Sequence, residues 1–299
     1  MHDPRLEALI APDAPLTQIG RGFAFTEGPV WVAAEGSLLF SDIPGDARWR
    51  WSAVGGMELV ARPTFKANGM CLDTHGDLIV CEHVSSCVVR IRDGRRELLA
   101  FHYEGRYLNS PNDVVARAGD GSLYFTDPAS GRRDDRMGRE RSRDLDFQGV
   151  YRIPPGGGEI MLVVAPDEFE KPNGLCFSPD ESVLYINDSA TGTVKAFDVA
   201  EDGSLSGARI LHDGIGTGER GTGNVDGMEC DEAGNVWVTG PGGVWVLTPH
   251  GEHLGTVTVP EMVASLCWGG DDMHTLFLTS RTTVHSVATI VAPASLPPH

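Results

Sequence analysis

The chain has 299 residues, 41% of them apolar, with 42 acidic against 24 basic side chains and a net charge of −18. An acidic excess of this size argues against partners that need clustered Lys and Arg, so neither nucleic acid nor an anionic membrane surface is expected. No run approaches the ~20 apolar residues of a membrane span, and the length suits one closed all-β unit as well as two smaller domains.

The first sixteen residues, MHDPRLEALIAPDAPL, carry acids where a signal peptide needs a basic flank and an unbroken apolar stretch. They read as a short arm on a cytoplasmic protein. Thr17–Ala24 follows as a strand. A unit then occurs six times. Each copy opens on an oxygen-bearing residue, in most copies followed by Gly, and continues with a short strand, a polar turn, a second strand and then a third. The clearest copy is 171–199, with strands expected over Leu175–Phe177, Val183–Ile186 and Thr193–Val199.

The first positions of the six copies are Glu27, Asn68, Asn112, Asn173, Asp226 and Ser265. Fourteen or fifteen residues later the second strands end, at Asp42, Glu82, Asp127, Asp188, Gly240 and Ser280. The distance from copy to copy varies far more, from 39 to 61 residues. Constant inner hairpins with variable outer connections are what radial packing of blades demands. The sequence therefore predicts a single six-bladed β-propeller, its last blade completed by the N-terminal strand. Residues 290–299 form a tail. Sustained 3.6-residue periodicity is lacking, so helices should be few. The six Cys include no CxxC pair, and those in the inner strands read as small hydrophobes.

In such a ring the first-position residues share one face with the second-strand ends. The longest gap holds an insertion, 129–148, between strands two and three of the third copy, which should overhang the same mouth. Glu27, Asn112, Asn173 and Asp226 offer only oxygen, the donor set of hard cations such as Ca²⁺ and Mg²⁺. One Asn or Asp before Gly is an ordinary turn residue. Recurrence at one register around one axis points instead to a cation site.

FTEGPVW, NSPNDVV, YFTDP, DFQGVYR, KPNGLCFSPD and NVDGMECDEAGNVWV together resemble the gluconolactonase branch of the senescence marker protein/regucalcin/gluconolactonase family, over residues 20–285. The resemblance implies a six-bladed propeller that hydrolyses sugar lactones with one divalent cation. Ca²⁺ is the expected ion, with Mg²⁺, Mn²⁺, Zn²⁺ and Fe²⁺ as alternatives. By motif it implies Glu27, Asn173 and Asp226 as metal ligands, Asp226 also as acid/base, and Asn112 beside metal and substrate. Ser110 stands where animal members carry a substrate-contacting Arg, which separates this chain from the animal substrate preference.

Lactone opening needs a polarised carbonyl, a delivered water and a protonated leaving oxygen. A cation-bound carboxylate is a weak base, so His83, on the same face, stands as a second candidate base beside Asp226. Glu82 and Asp127 are expected to bind sugar hydroxyls. The insertion GRRDDRMGRERSRD alternates Arg with acids and reads as a solvated, self-paired loop, with a lid that gathers an anionic substrate as the alternative. A non-catalytic, metal-stabilised binding propeller is the second functional reading. Hydrolysis of other esters or phosphotriesters is a third.

Overall fold

The computed structural model describes residues 4–216 and 223–295. Among these, six four-stranded antiparallel sheets form the blades of a propeller, with one extra two-stranded ribbon. Blades 1 and 2 open on the inner strands Thr26–Val32 and Ala67–Leu72. Blades 3 and 4 open on Val114–Ala116 and Pro172–Phe177. Blades 5 and 6 open on Met228–Cys230 and Ser265–Gly269. The strand Thr17–Arg21 pairs antiparallel with Thr283–Ala288 and supplies the outermost strand of blade 6, so the ring closes as the sequence predicts.

Apolar side chains gather between blades rather than inside them. Six buried clusters occupy the six seams, one for each neighbouring pair of blades. The closing seam, between blades 6 and 1, holds Phe23, Trp31, Phe40 and Phe277, with Trp31 stacked on Phe277 at 5.4 Å. Among the described residues, helix is confined to Pro4–Glu7 and two single-turn 3₁₀ segments. The short helix packs Leu6 into the seam of blades 5 and 6. All six Cys are free thiols, and only Cys71 is less than fully buried.

One difference from the expected strands bears on function. In blades 1, 2 and 4 the inner strand begins before the oxygen-bearing residue, and the pairing slips between Glu27 and Val30, Ala67 and Met70, and Pro172 and Leu175. A bulge of this kind breaks the two-residue alternation and re-aims a side chain. It sets the first-position residue inside the sheet yet turned toward the channel. In register, Thr26 faces Asp42, Ala67 faces Glu82 and Pro172 faces Asp188, so first positions and second-strand ends do lie at one end of the ring.

Among the described residues, the closing strand and the arm before it hold no channel residue, so their loss tests the closure of blade 6 together with the packing of Leu6 between blades 5 and 6. Deleting residues 1–24 opens the edge of blade 6 and removes Phe23 from its seam. The expected outcome is a melting temperature lower by about 10 °C or more, read by circular dichroism, because each kcal/mol moves a domain of this size by roughly 2–4 °C. A truncated protein that melts with the full chain would show that blade 6 stands without the strand.

Candidate functional site

The channel gathers carboxylates from several blades. Glu27 of blade 1 has its pKa raised well above the usual range, first by burial and then by the facing charges of Asp226 and Asp113. Asp226, at the entry to blade 5, is pushed up to about 7 by burial, against the opposing pull of Lys171 and a hydrogen bond from Asn173. Asp113 also reaches about 7, again chiefly through burial. Neither Glu27 nor Asp226 forms an ion pair among the described residues. Acidic groups are thus brought together in a poorly solvated space, with the charge of Lys171 acting on Asp226 from outside ion-pair distance.

Each of the central residues is held by neighbours. Asn173 Nδ2 donates to Ser189 Oγ (2.8 Å), which donates in turn to the Val225 carbonyl (2.7 Å). The Asp226 carbonyl accepts from Asn187 Nδ2 (2.6 Å), and the Asp226 N–H donates to Thr239 Oγ1 (2.9 Å). Glu27 Oε2 accepts the N–H of Gly28 (2.7 Å). Gly28 has φ +52°, and a Cβ there would collide with the Asn68 carbonyl of the next blade. Gly174 is set in the same way against the Asp226 carbonyl. The Asn112 side chain makes no hydrogen bond among the described residues, while its backbone bonds to Thr126 and Gly69.

This donor set fits a hard divalent cation. Two carboxylates outside any ion pair, Glu27 and Asp226, match its charge, and Asn173 lies in hydrogen-bond contact with one of them. Among the described residues no three His, Cys, Asp or Glu side chains cluster in metal-binding fashion. An ion here would therefore need amide and water oxygens to complete its shell. Further along the inner strands lies a cavity of about 450 Å³, lined by Val30, Met70, Leu175 and Met228 together with Asp113 and Glu229. Glu229 is pushed up to about 8 by burial and by Asp113.

Other residues expected at the site have different surroundings. Glu82 is buried and engaged by Arg96 (2.9 and 2.6 Å) and Ser85 (2.5 Å). Asp127 is fully buried, and its Oδ2 accepts the Asn109 N–H at 2.8 Å. Asp42 and Asp188 do the same for the segments entering their blades, accepting from Ala24 and Phe25 and from Glu170 and Lys171. The acid ending the second strand is thus a brace for the incoming loop in three blades. Ser110 Oγ donates to the Pro128 carbonyl (2.5 Å) and accepts from Gly131 N (2.9 Å), tying the insertion down. His83 is 1% exposed, and its pKa is lowered to about 4 by burial. Its Nδ1–H donates to the Met137 carbonyl of the insertion (2.7 Å), leaving Nε2 to accept from Asn68 Nδ2 (3.1 Å). That ring is neutral and occupied at both nitrogens.

Asp113 was not singled out from the sequence. A signal exists, since copy three reads Asn-Asp where four other copies have Gly after the first position. Asn187, Ser189 and Thr239 also escaped notice, because nothing in their spacing distinguishes a support from a strand end.

The family model for the SMP-30/Gluconolactonase/LRE-like region matches residues 25–282. The chain belongs to this family. Among relatives of the family, a gluconolactonase from Zymomonas mobilis is 29% identical over 96% of this chain and 84% of its own. A regucalcin from Danio rerio is 30% identical over 85% and 82%. A solved gluconolactonase from Xanthomonas campestris superposes with a TM-score of 0.87 at 30% identity, covering 95% and 92% of the two chains. The family match spans all six first positions and the insertion.

The crowded carboxylates give a pH dependence whose sign is fixed. A carboxyl with a raised folded pKa stabilises the fold below its unfolded value and loses that contribution as pH rises through the folded value. Asp113, Asp127 and Asp226 (about 7) and Glu229 (about 8) lose most of their protons between pH 6.5 and 8.5. His83, depressed to about 4, acts with the opposite sign only below its unfolded value of 6.5 and is silent in this window. Chelator-treated protein should therefore melt roughly 5 °C lower at pH 8.5 than at pH 6.5. A flat profile would show that the channel carboxylates are better solvated than their surroundings indicate.

Proposed function

We propose that the protein is a divalent-cation-dependent lactonase acting on sugar lactones, with Ca²⁺ as the favoured ion. The observation that carries this reading is the meeting of Glu27, Asn173 and Asp226, from three blades, as oxygen donors, with neither carboxylate in an ion pair among the described residues. The gluconolactonases among its relatives support the choice of substrate class. A cation bound by these residues would supply Lewis-acid polarisation of the lactone carbonyl and orient the attacking water.

The protein's own groups do the rest. Asp226 takes the proton from water at its carboxylate and returns it to the ring oxygen as the C–O bond opens. Burial raises the Asp226 carboxyl above the usual carboxylate range and opposes the lowering that a bound cation would bring. Ser189, Asn187 and Thr239 hold Asn173 and the backbone of Asp226 in place while this happens. Asn112, whose amide is unengaged, is available to a sugar hydroxyl or to the ion. Asn68 adds a second acceptor: its Nδ2 is held by His83, and its buried Oδ1 has no partner. Ser110, Glu82, His83 and Asp127 then support the site from outside it, through the braces described above. Both ring nitrogens of His83 are engaged, and its low pKa makes it a poor proton acceptor, so Asp226 is favoured as the base.

Asp226→Asn keeps the side-chain shape and removes one of two charges. It should abolish lactone hydrolysis, by at least the ~10²–10⁴-fold typical of a general acid–base group, even with excess Ca²⁺ restoring occupancy. Glu27→Gln should weaken binding of the ion yet be rescued by excess. Stopped-flow lactone hydrolysis with metal analysis separates the two effects. An Asp226→Asn enzyme that is metal-replete and retains more than about a tenth of wild-type kcat would remove Asp226 from the chemistry. Failure of wild-type protein to open any lactone, with the ion bound, would leave the binding-propeller reading.

A further inference from the structure

The insertion does not behave as a self-paired loop. Of its six Arg, only Arg132 has an acid within 4 Å among the described residues, Asp144 at 3.9 Å. Its acids are used elsewhere: Asp134 Oδ1 accepts the N–H groups of Arg136 and Met137, and Asp135 Oδ1 accepts that of Glu140. The backbone folds back on itself, with Arg139 N bonded to the Gly131 carbonyl (2.8 Å) and Arg141 N to the Arg132 carbonyl (3.2 Å). This doubling sets Arg132 and Arg133 beside Arg139 and Arg141. Like charges placed opposite each other on paired backbone are destabilising, and the repulsion of Arg141 is among the influences that lower Arg132.

The result is an open cavity of about 1010 Å³ lined by Lys66, Arg132, Arg133, Arg139 and Arg141 against only Asp135 and Glu140. On a chain of net charge −18 this concentration of cations is out of character. Arg132 is immobilised, its guanidinium bonded to the carbonyls of Leu108, Asn109 and Ser142. Lys66 Nζ donates to the Arg136 carbonyl (2.8 Å), and Arg141 is tied to Ser86. Arg133 and Arg139 are exposed and have no side-chain partner among the described residues. Two free guanidinium groups on a fixed basic floor present the forked donors that bind phosphate or carboxylate in bidentate fashion.

The cavity joins the candidate site through short links. Lys66 lies two residues before Asn68, and His83 bonds both to Asn68 and to the Met137 carbonyl in the loop. We propose that the cavity beneath the insertion is an anion subsite, and that the natural substrate is a sugar lactone bearing a phosphate or carboxylate group remote from the ring carbonyl. This rests on the lactonase reading and adds the charge of the substrate to it.

Three six-carbon aldonolactones test it: one neutral, one with a phosphate ester on its terminal carbon, and one with a terminal carboxylate. The wild-type enzyme should show a KM at least tenfold lower for one of the charged lactones than for the neutral one, and which one names the anion. Arg133→Glu/Arg139→Glu should erase that advantage while leaving kcat and KM for the neutral lactone within twofold. Calorimetric titration with inorganic phosphate and with the charged hydroxy-acid products gives a readout independent of turnover. Binding by wild type that weakens with salt and is lost in the double variant supports the subsite, even if no lactone is opened and the lactonase reading fails. Neutral and charged lactones hydrolysed equally well, with no effect of the variant, would overturn the subsite and leave the lactonase standing. Binding of poly-glutamate without binding of either small anion would overturn it in favour of an acidic protein partner.

Discussion

In four of the six blades, how closely one blade can approach the next is set by a single residue, the glycine after the first-position oxygen. At Gly28 and Gly174 a side chain would run into the backbone of the following blade, at Asn68 and Asp226. The approach leaves each first-position residue stacked against the next around the axis. Carboxylates and amides from different blades therefore share one small volume, and the bulges at Glu27 and Asn173 turn them inward. Moving any blade outward would solvate the carboxylates, relax their pKa values and disperse the donors. The electrostatic frustration of the channel and the tightness of the ring are one fact.

Because the apolar side chains lie in seams, no blade has a core of its own. Each depends on two neighbours, and the stability of the site is that of the whole ring. The outer connections carry no such duty, which is why an insertion as long as 129–148 is tolerated. It is nevertheless firmly held, by Gln148 Oε1 on Ala129 N (2.6 Å), by Ser110 on Gly131 and by the buried Arg132. A loop anchored this way, yet bearing unpaired guanidinium groups, differs from a floppy polar excursion of the same composition.

The ring was legible in the sequence because hairpin length is a local quantity. Spacing from Glu27 to Asp42, or Asn173 to Asp188, survives whatever the rim loops do. The inner donors were legible because their chemistry is unusual for a strand start. What could not be read was partnership across space. Asp42, Asp127 and Asp188 look like channel acids in a linear chain, and only the fold shows that they accept backbone N–H groups eighteen or so residues upstream. Glu82 finds Arg96 on another strand of its own blade, and the insertion that comes to cover His83 begins more than forty residues later in the chain. The alternation of Arg and acid in the insertion suggested internal pairing, but turn geometry commits the Asp oxygens to the backbone first.

Blade 6 draws its outermost strand from residues 17–21 and its other strands from residues 265–288. During synthesis the strand over residues 17–21 emerges long before its partner and has nothing to pair with until residues 283–288 have followed. Five blades can stack behind the ribosome as an open arc, with Trp31 of blade 1 and the edge of blade 5 both uncovered. The channel acquires its full complement of walls only once residues 265–288 have emerged. An open arc of five blades carries two uncovered apolar flanks, and the acidic surface that keeps chains apart is of greatest use in that interval.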